Sequence, residues 1–152
     1  LTIGFAQVGG ESGWRAAHTE SVKGEAAKRG IKLMFSDGHG KQEDQIKAIH
    51  TFIAQKVDGI IMDLRNNGGG SLYDVVQMVG LFIEGGPIVQ VKDRDGKPQI
   101  YFDRDKSILY EGPLAVMVNE FSASASEITC STLPWPMIDP MWPARPTKAR
   151  LM

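Results

Sequence analysis

The stretch that decides the fold reads Val57-Asp58-Gly59-Ile60-Ile61-Met62-Asp63-Leu64. Its apolar residues form a short, nearly continuous run, which is typical of a strand buried on both faces of a parallel sheet. The glycine-rich loop Asn66-Asn67-Gly68-Gly69-Gly70 follows at once. Because ligands of open α/β sheets bind beyond the carboxyl ends of the strands, any functional site is expected near this loop.

Strand-like and helical patterns alternate on both sides of this stretch. On the amino-terminal side we predict a strand, a helix, a strand and a helix over residues 1–8, 14–29, 31–35 and 41–56. On the other side, apolar residues at helical spacing predict a helix through Leu72, Val75, Val76, Val79 and Ile83. A hairpin around Asp95-Gly96, a strand over 114–118 and a helix from near Ser124 complete the order.

This order predicts an α/β fold with a layered, mainly parallel and doubly wound sheet. The expected order of its strands is 2-1-3-4, with the hairpin as an insertion. We assign residues 1–61 and 62–128 to two segments that share the third strand. Residues 129–152 contain five prolines and are predicted to be an irregular tail.

Composition excludes several classes of function. The chain has 152 residues, 42% of them apolar and 23% charged, with a net charge of −1, so neither nucleic acid nor a membrane surface is an expected partner. No apolar run reaches the roughly 18–20 residues of a membrane-spanning helix, and we expect no signal peptide before the first strand. His18, His39, His50 and the lone Cys130 lack metal-ligand spacing, so no metal or cofactor is expected.

Residues 1–61 resemble periplasmic sugar-binding proteins of the ribose and galactofuranose type. The matching stretches are Gly4-Phe5-Ala6-Gln7-Val8-Gly9, Glu11-Ser12-Gly13-Trp14-Arg15, Lys41-Gln42-Glu43-Asp44-Gln45-Ile46 and Val57-Asp58-Gly59-Ile60-Ile61. The resemblance implies that one wall of a sugar site is formed by Gln7, Glu11, Trp14 and Arg15. The alternative is that Trp14 is a core residue and that Glu11 and Arg15 are solvated. Proteins of this family hold the sugar between two lobes. Since residues 1–61 correspond to part of one lobe, we expect their affinity for a sugar to be weak.

Residues 57–128 resemble the core of the tail-specific (C-terminal processing) serine proteases. The resemblance rests on Asp63-Leu64-Arg65-Asn66-Asn67-Gly68-Gly69-Gly70-Ser71-Leu72 and on Phe121-Ser122-Ala123-Ser124-Ala125-Ser126-Glu127-Ile128. It implies that Ser124 is the nucleophile, with the backbone N–H groups of Ala125 and Gly70 stabilising the oxyanion. Ser124 and Glu127 also have the spacing of a capping box, which needs no catalysis to explain it.

The base of the family is a lysine in a downstream segment of the type Gly-x-x-Thr-x-Gly-Lys-Gly, which this sequence does not show. Lys148 follows Thr147 near the expected spacing, but its other neighbours differ from that segment. We therefore expect an extracytoplasmic chimera with little or no cleavage of unstructured C-terminal tails. Weak sugar binding and an inert folded chimera are the alternatives. The sequence does not indicate an oligomeric state.

Overall fold

The computed structural model describes residues 1–9, 12–92 and 94–133. Along the chain these form the following elements: β1 (Thr2–Gln7), α1 (Gly13–Lys28), β2 (Lys32–Asp37), α2 (Gln42–Ala54), β3 (Gly59–Asp63), α3 (Leu72–Gly80), β4 (Gly86–Lys92), β5 (Pro98–Asp103), β6 (Leu114–Met117) and α4 (Ala125–Thr132). The predicted order of strands, helices and hairpin is confirmed.

The main sheet has the strand order β2-β1-β3-β6, and its strand pairs are parallel. Since β6 is the fourth strand of this sheet along the chain, the predicted order 2-1-3-4 is confirmed. β3 pairs with β1 in the register Phe5↔Ile61 and with β6 in the register Ile61↔Ala115. The two segments identified in the sequence therefore meet in one continuous sheet through this strand.

The hydrophobic core lies around β3 and the helices that cover it. Ile60 and Met62 of β3 are 1% and 0% exposed, and Ile49 of α2 and Val79 of α3 are both 0% exposed. This burial explains why the stretch that contains β3 is nearly continuously apolar. Among the described residues, no helix combines the length and apolar character needed to cross a membrane.

The hairpin β4–β5 forms a separate two-stranded antiparallel sheet, with an irregularity between Pro87 and Val89. The hairpin follows α3. This helix ends at Gly80, whereas the sequence predicted that it would continue through Ile83. The Leu81 carbonyl accepts the N–H groups of Leu109 and Tyr110, so the chain is tied to a loop there and leaves the helix.

The last helix corrects one boundary of the predicted irregular tail. α4 continues through Thr132, so residues 129–132 are helical. The hydroxyls of Thr129 and Thr132 donate to the carbonyls one turn earlier, at 2.9 and 2.8 Å, which accommodates both side chains within the helix. Leu133 is extended, as is usual before a proline. The rest of the predicted tail, 134–152, lies outside the described residues.

Candidate active site

Ser124 occupies a strained turn between β6 and α4. Its φ of 53° and ψ of −111° are unusual for a residue with a side chain, and the residue is exposed to solvent. Conformations of this kind persist only where surrounding contacts hold them, and they cluster at functional sites. The turn places the Ser124 hydroxyl immediately before α4, where the first backbone N–H groups have no partner within the helix.

Contacts with the loop after β3 hold this turn in place. The Asn67 carbonyl accepts the Ala123 N–H and the Ser126 hydroxyl, both at 3.0 Å. The Ser122 hydroxyl donates to the Leu64 carbonyl at 2.7 Å. The serines on either side of Ser124 in the motif are therefore committed to the backbone of the loop.

A pair of asparagines adds a second connection between the two loops. The Asn119 side chain accepts the Asn66 N–H at 2.9 Å and donates to the Asn66 side-chain oxygen at 2.7 Å. Asn66 has a positive φ of 56°, a conformation that asparagine tolerates better than most residues. The role of Asn119 could not be predicted from the sequence, because the reciprocal contact depends on how the two loops meet.

Gly69 is the glycine that lies against Ser124. Its φ is +111°, and a Cβ atom at this position would lie 2.7 Å from the Ser124 Cβ and 3.1 Å from the Ala125 nitrogen. Its own N–H donates to the Asn67 side chain at 3.0 Å. Gly70, which the sequence analysis selected, lies against the Gln42 side chain. Close approach to the turn therefore depends on Gly69.

The capping interaction between Ser124 and Glu127 is formed through the glutamate. The Glu127 carboxylate accepts the Ser124 N–H at 2.8 Å, and the Ser124 side chain faces the Glu127 backbone N–H in the reciprocal half of a capping box. The predicted capping box is therefore formed, but it does not account for the backbone angles of Ser124, because N-cap residues are ordinarily extended. Ala125, the next residue, is fully buried. Lys148 lies outside the described residues.

Three of the predicted sugar-binding residues lie near the carboxyl end of β1, in different environments: Gln7 ends this strand, and Trp14 and Arg15 lie in the first turn of α1. The Gln7 side chain is buried; it accepts the Thr19 hydroxyl and donates to the Gly9 carbonyl, both at 3.0 Å. Trp14 is 49% exposed, so it is not a core residue. Arg15 is buried rather than solvated. Glu11 lies outside the described residues.

Three further residues, Asp63, Arg65 and His18, lie together with Trp14 and Arg15. We call these five residues the second cluster. Arg65 donates to the Asp63 carboxylate at 2.7 Å and lies over the Trp14 ring, 4.8 Å from its centroid. The His18 ring stacks on Trp14 at 5.7 Å. Burial and the nearby Arg65 guanidinium lower the pKa of His18 below its ordinary value. The contact between Arg65 and Trp14 joins the two segments, so no pattern within either segment could predict it.

The described residues contain no group of three or more histidine, cysteine, aspartate or glutamate side chains that could hold a metal ion. The site at Ser124 presents an exposed hydroxyl at the start of a helix. The half-buried Cys130 thiol has its pKa raised to about 11, chiefly by desolvation. This value keeps it protonated and unreactive near neutral pH.

Comparison with known proteins matches the two segments to two families. Residues 31–133 match the model of peptidase family S41. The tail-specific protease of Haemophilus influenzae is 44% identical over 94 residues, which are 62% of this chain and 14% of that protein. The galactofuranose-binding protein of Escherichia coli is 61% identical over 62 residues, which are 41% of this chain and 20% of that protein. The chain thus spans a fifth or less of the length of these two relatives.

A solved structure agrees with the protease match. The photosystem II D1 C-terminal processing protease superposes with a TM-score of 0.51 and 33% identity, over 60% of this chain and 24% of that one. The match to the peptidase family begins at residue 31, inside the segment that resembles sugar-binding proteins, so β2, α2 and β3 fit both patterns. The chain is a mosaic that belongs to peptidase family S41 and carries a segment similar to a galactofuranose-binding protein at its amino-terminal side.

Proposed function

We propose that the chain is a serine endopeptidase of the tail-specific type, with Ser124 as its nucleophile and with slow turnover. The observation that carries this proposal is the exposed Ser124 at a φ of 53° and a ψ of −111°, with Gly69 packed against it. A capping serine needs no such strain, because N-cap residues ordinarily adopt extended backbone angles. A nucleophile on a sharp strand-to-helix turn does need it, because the turn exposes the hydroxyl.

In this proposal the Ser124 oxygen attacks the carbonyl carbon of the scissile peptide bond. The tetrahedral oxyanion accepts hydrogen bonds from the backbone N–H of Ala125 and of Gly70. Gly69 permits the close approach, while its own N–H is held by Asn67, so the next N–H in the run is the better donor. Collapse of the intermediate breaks the C–N bond, and the base returns the serine proton to the nitrogen, so the C-terminal fragment leaves as an amine. Water then hydrolyses the ester that remains on Ser124 and releases the N-terminal fragment as a carboxylic acid.

In this proposal the rate of cleavage is limited by the removal of the Ser124 proton, which requires a base. A serine hydroxyl is a weak nucleophile until an adjacent base takes its proton. None of the hydrogen bonds described for Ser124 involves a lysine or a histidine. Lys148 is the candidate base in the sequence. We propose slow turnover because the residues around Lys148 differ from the lysine segment of the family.

Unstructured C-terminal tails of extracytoplasmic proteins are the proposed substrates. The resemblance to tail-specific proteases supports this substrate class. Phe121 is 64% exposed on the loop that leads to Ser124, where an apolar side chain of a bound tail could contact it. An extended tail can enter an open turn of this kind without unfolding first.

The test is mass-spectrometric cleavage of a peptide with an apolar, unstructured C-terminus. We expect slow cleavage by the wild-type chain and none by Ser124→Ala. Ser131→Ala is the matched control, because Ser131 is an exposed serine on the same helix and should leave the rate unchanged. Equal cleavage by Ser124→Ala, or no cleavage by any variant, would contradict the proposal, and the second outcome would favour an inert folded chimera.

Weak sugar binding is the second candidate function. The observation that favours it is the half-exposed Trp14 at the carboxyl edge of the sheet, since an indole face suits the C–H side of a sugar ring. The Gln7 amide is already satisfied within the fold and would contribute little. Calorimetric titration with neutral pentoses and hexoses tests this candidate, and the absence of heat for all of them would count against it.

A further inference from the structure

The side chain of Gln42 lies against Gly70 of the glycine-rich loop. Gln42 is the first residue of α2 and is half-buried, and its Oε1 atom is buried. A Cβ atom at Gly70 would overlap this Oε1 atom and would lie 3.5 Å from the Gln42 Cδ and 4.0 Å from the Gln42 Cβ. The α-carbon of Gly70 therefore rests directly on the Gln42 side chain.

This contact explains why residue 70 is a glycine. The φ of Gly70 lies outside the left-handed region, so its backbone conformation is open to residues with a side chain. Gly69 differs, because its φ of +111° itself favours glycine. At Gly70 the constraint is therefore the space that Gln42 occupies.

A second glutamine of α2 holds the other end of the same stretch of chain. Gln45 is 1% exposed, and its Nε2 atom donates to the Ala6 carbonyl at 3.1 Å and to the Asp63 carbonyl at 3.3 Å. Gln42 and Gln45 are three residues apart, so they lie on the same face of the helix. Residues 63–70 are thus held by α2 at both ends, by a hydrogen bond at Asp63 and by packing at Gly70.

The contact leaves the Gly70 N–H available. Within residues 1–9, 12–92 and 94–133, the Gln42 Oε1 atom has no hydrogen-bond partner, and the Gly70 N–H donates to no acceptor. A buried acceptor without a donor lowers stability, so the amide oxygen does not stabilise the fold through a hydrogen bond. The Gln42 side chain instead provides a surface that fixes the position of Gly70.

We infer that Gln42 is a positioning residue, which holds Gly70 where its N–H stabilises the oxyanion formed at Ser124. The inference rests on the proposed function, in which Gly70 and Ala125 donate to this oxyanion. Donors must be fixed before the reaction, and a displacement of about 1 Å can cost about a hundredfold in rate. Gln42 belongs to the segment that resembles sugar-binding proteins, so this segment contributes to the peptidase site.

The test is the rate at which a fluorophosphonate modifies Ser124 in the full chain, because the phosphoryl oxygen of the reagent takes the place of the oxyanion. Gly70→Ala forces a Cβ atom into the Gln42 amide and should lower this rate by roughly tenfold or more. Gln42→Ala should lower the rate by about three- to tenfold, since Gly70 loses its support. The double variant should react within about threefold of Gln42→Ala, because the two Cβ atoms would then lie at an ordinary contact distance.

A conservative variant and a matched control separate packing from other effects. Gln42→Met keeps the length of the side chain without the unpaired oxygen, so it should restore the rate lost in Gln42→Ala to within about threefold of wild type. Gln55→Ala makes the same change as Gln42→Ala at an exposed glutamine just after α2, and it should leave the rate unchanged. Urea unfolding should show that each variant is folded under the labelling conditions.

The outcomes distinguish this inference from the proposed function. Labelling of Gly70→Ala or Gln42→Ala at the wild-type rate would overturn the inference alone. A double variant that reacts no faster than Gly70→Ala, or that stays unfolded where Gly70→Ala is unfolded, would do the same. Equally slow labelling of Gln42→Met and Gln42→Ala would show that packing is not the cause. The absence of an adduct on wild-type Ser124 would contradict the proposed function, and the inference with it.

Discussion

Replacement of Gly69 by alanine tests how the glycine-rich loop packs against Ser124. The new Cβ would lie 2.7 Å from the Ser124 Cβ and 3.1 Å from the Ala123 oxygen and the Ala125 nitrogen. Two of these three atoms are backbone atoms in a turn held by hydrogen bonds, so they cannot move aside cheaply. The φ of +111° adds strain for any residue with a side chain.

The magnitude follows from these two effects. Backbone strain costs about 1–3 kcal/mol and overpacking a further 1–3 kcal/mol or so. We therefore expect Gly69→Ala to lower the free energy of unfolding by about 2–6 kcal/mol, which is a large fraction of the stability of an ordinary domain. In urea the midpoint of unfolding should fall by about 1 M or more.

Gly68→Ala is the matched control in the same loop. A Cβ atom at Gly68 would meet no atom within 4 Å, and its φ lies outside the left-handed region. Alanine there should be neutral or stabilise the chain by up to about 1 kcal/mol, because it restricts the unfolded chain. Urea unfolding followed by circular dichroism compares the two variants. Equal midpoints for Gly68→Ala and Gly69→Ala would refute the packing of Gly69 against Ser124.

Two further predictions concern the second cluster and the core. The pKa of His18 lies below the ordinary 6.5, so the unfolded chain takes up this proton at a higher pH than the fold does, and stability should fall as the pH drops below about 6.5. His18→Gln should weaken this dependence in urea titrations between pH 5 and 7 or so, and an unchanged slope would contradict it. Ile49→Ala should cost about 2–5 kcal/mol because Ile49 is fully buried, whereas Ile100→Ala, at an exposed position, should cost no more than about 1 kcal/mol. Similar losses for both would contradict the placement of the core.

The order of the strands and helices could be predicted because the spacing of apolar residues and the positions of turn residues determine each element within a short stretch of sequence. The run from Val57 to Leu64 identified a buried central strand, and right-handed crossovers then left few arrangements for the strands beside it. Helix ends were less predictable. α3 stops at Gly80 because Leu81 is held by Leu109 and Tyr110, a contact that spans a long stretch of sequence.

A residue of the candidate site could be predicted only where the sequence around it forms a recognisable motif. The motif around Ser124 identified this serine. It did not predict which glycine lies against Ser124, because the packing of Gly69 depends on the angle at which the two loops meet. Arg65 and Arg15 belong to segments of different resemblance, so their contact exists only in the joined sheet. We predicted that Arg15 binds a sugar or is solvated, and its burial became visible only in three dimensions.

The most direct test of Ser124 as a nucleophile is its reaction with a fluorophosphonate. This reagent carries a good leaving group and therefore detects a reactive serine even where peptide turnover is slow. We predict a covalent adduct that peptide mapping places on Ser124 and that is absent from Ser124→Ala. An adduct on Ser131 or another serine, or no adduct on the folded chain, would show that the strained turn at Ser124 does not make a nucleophile.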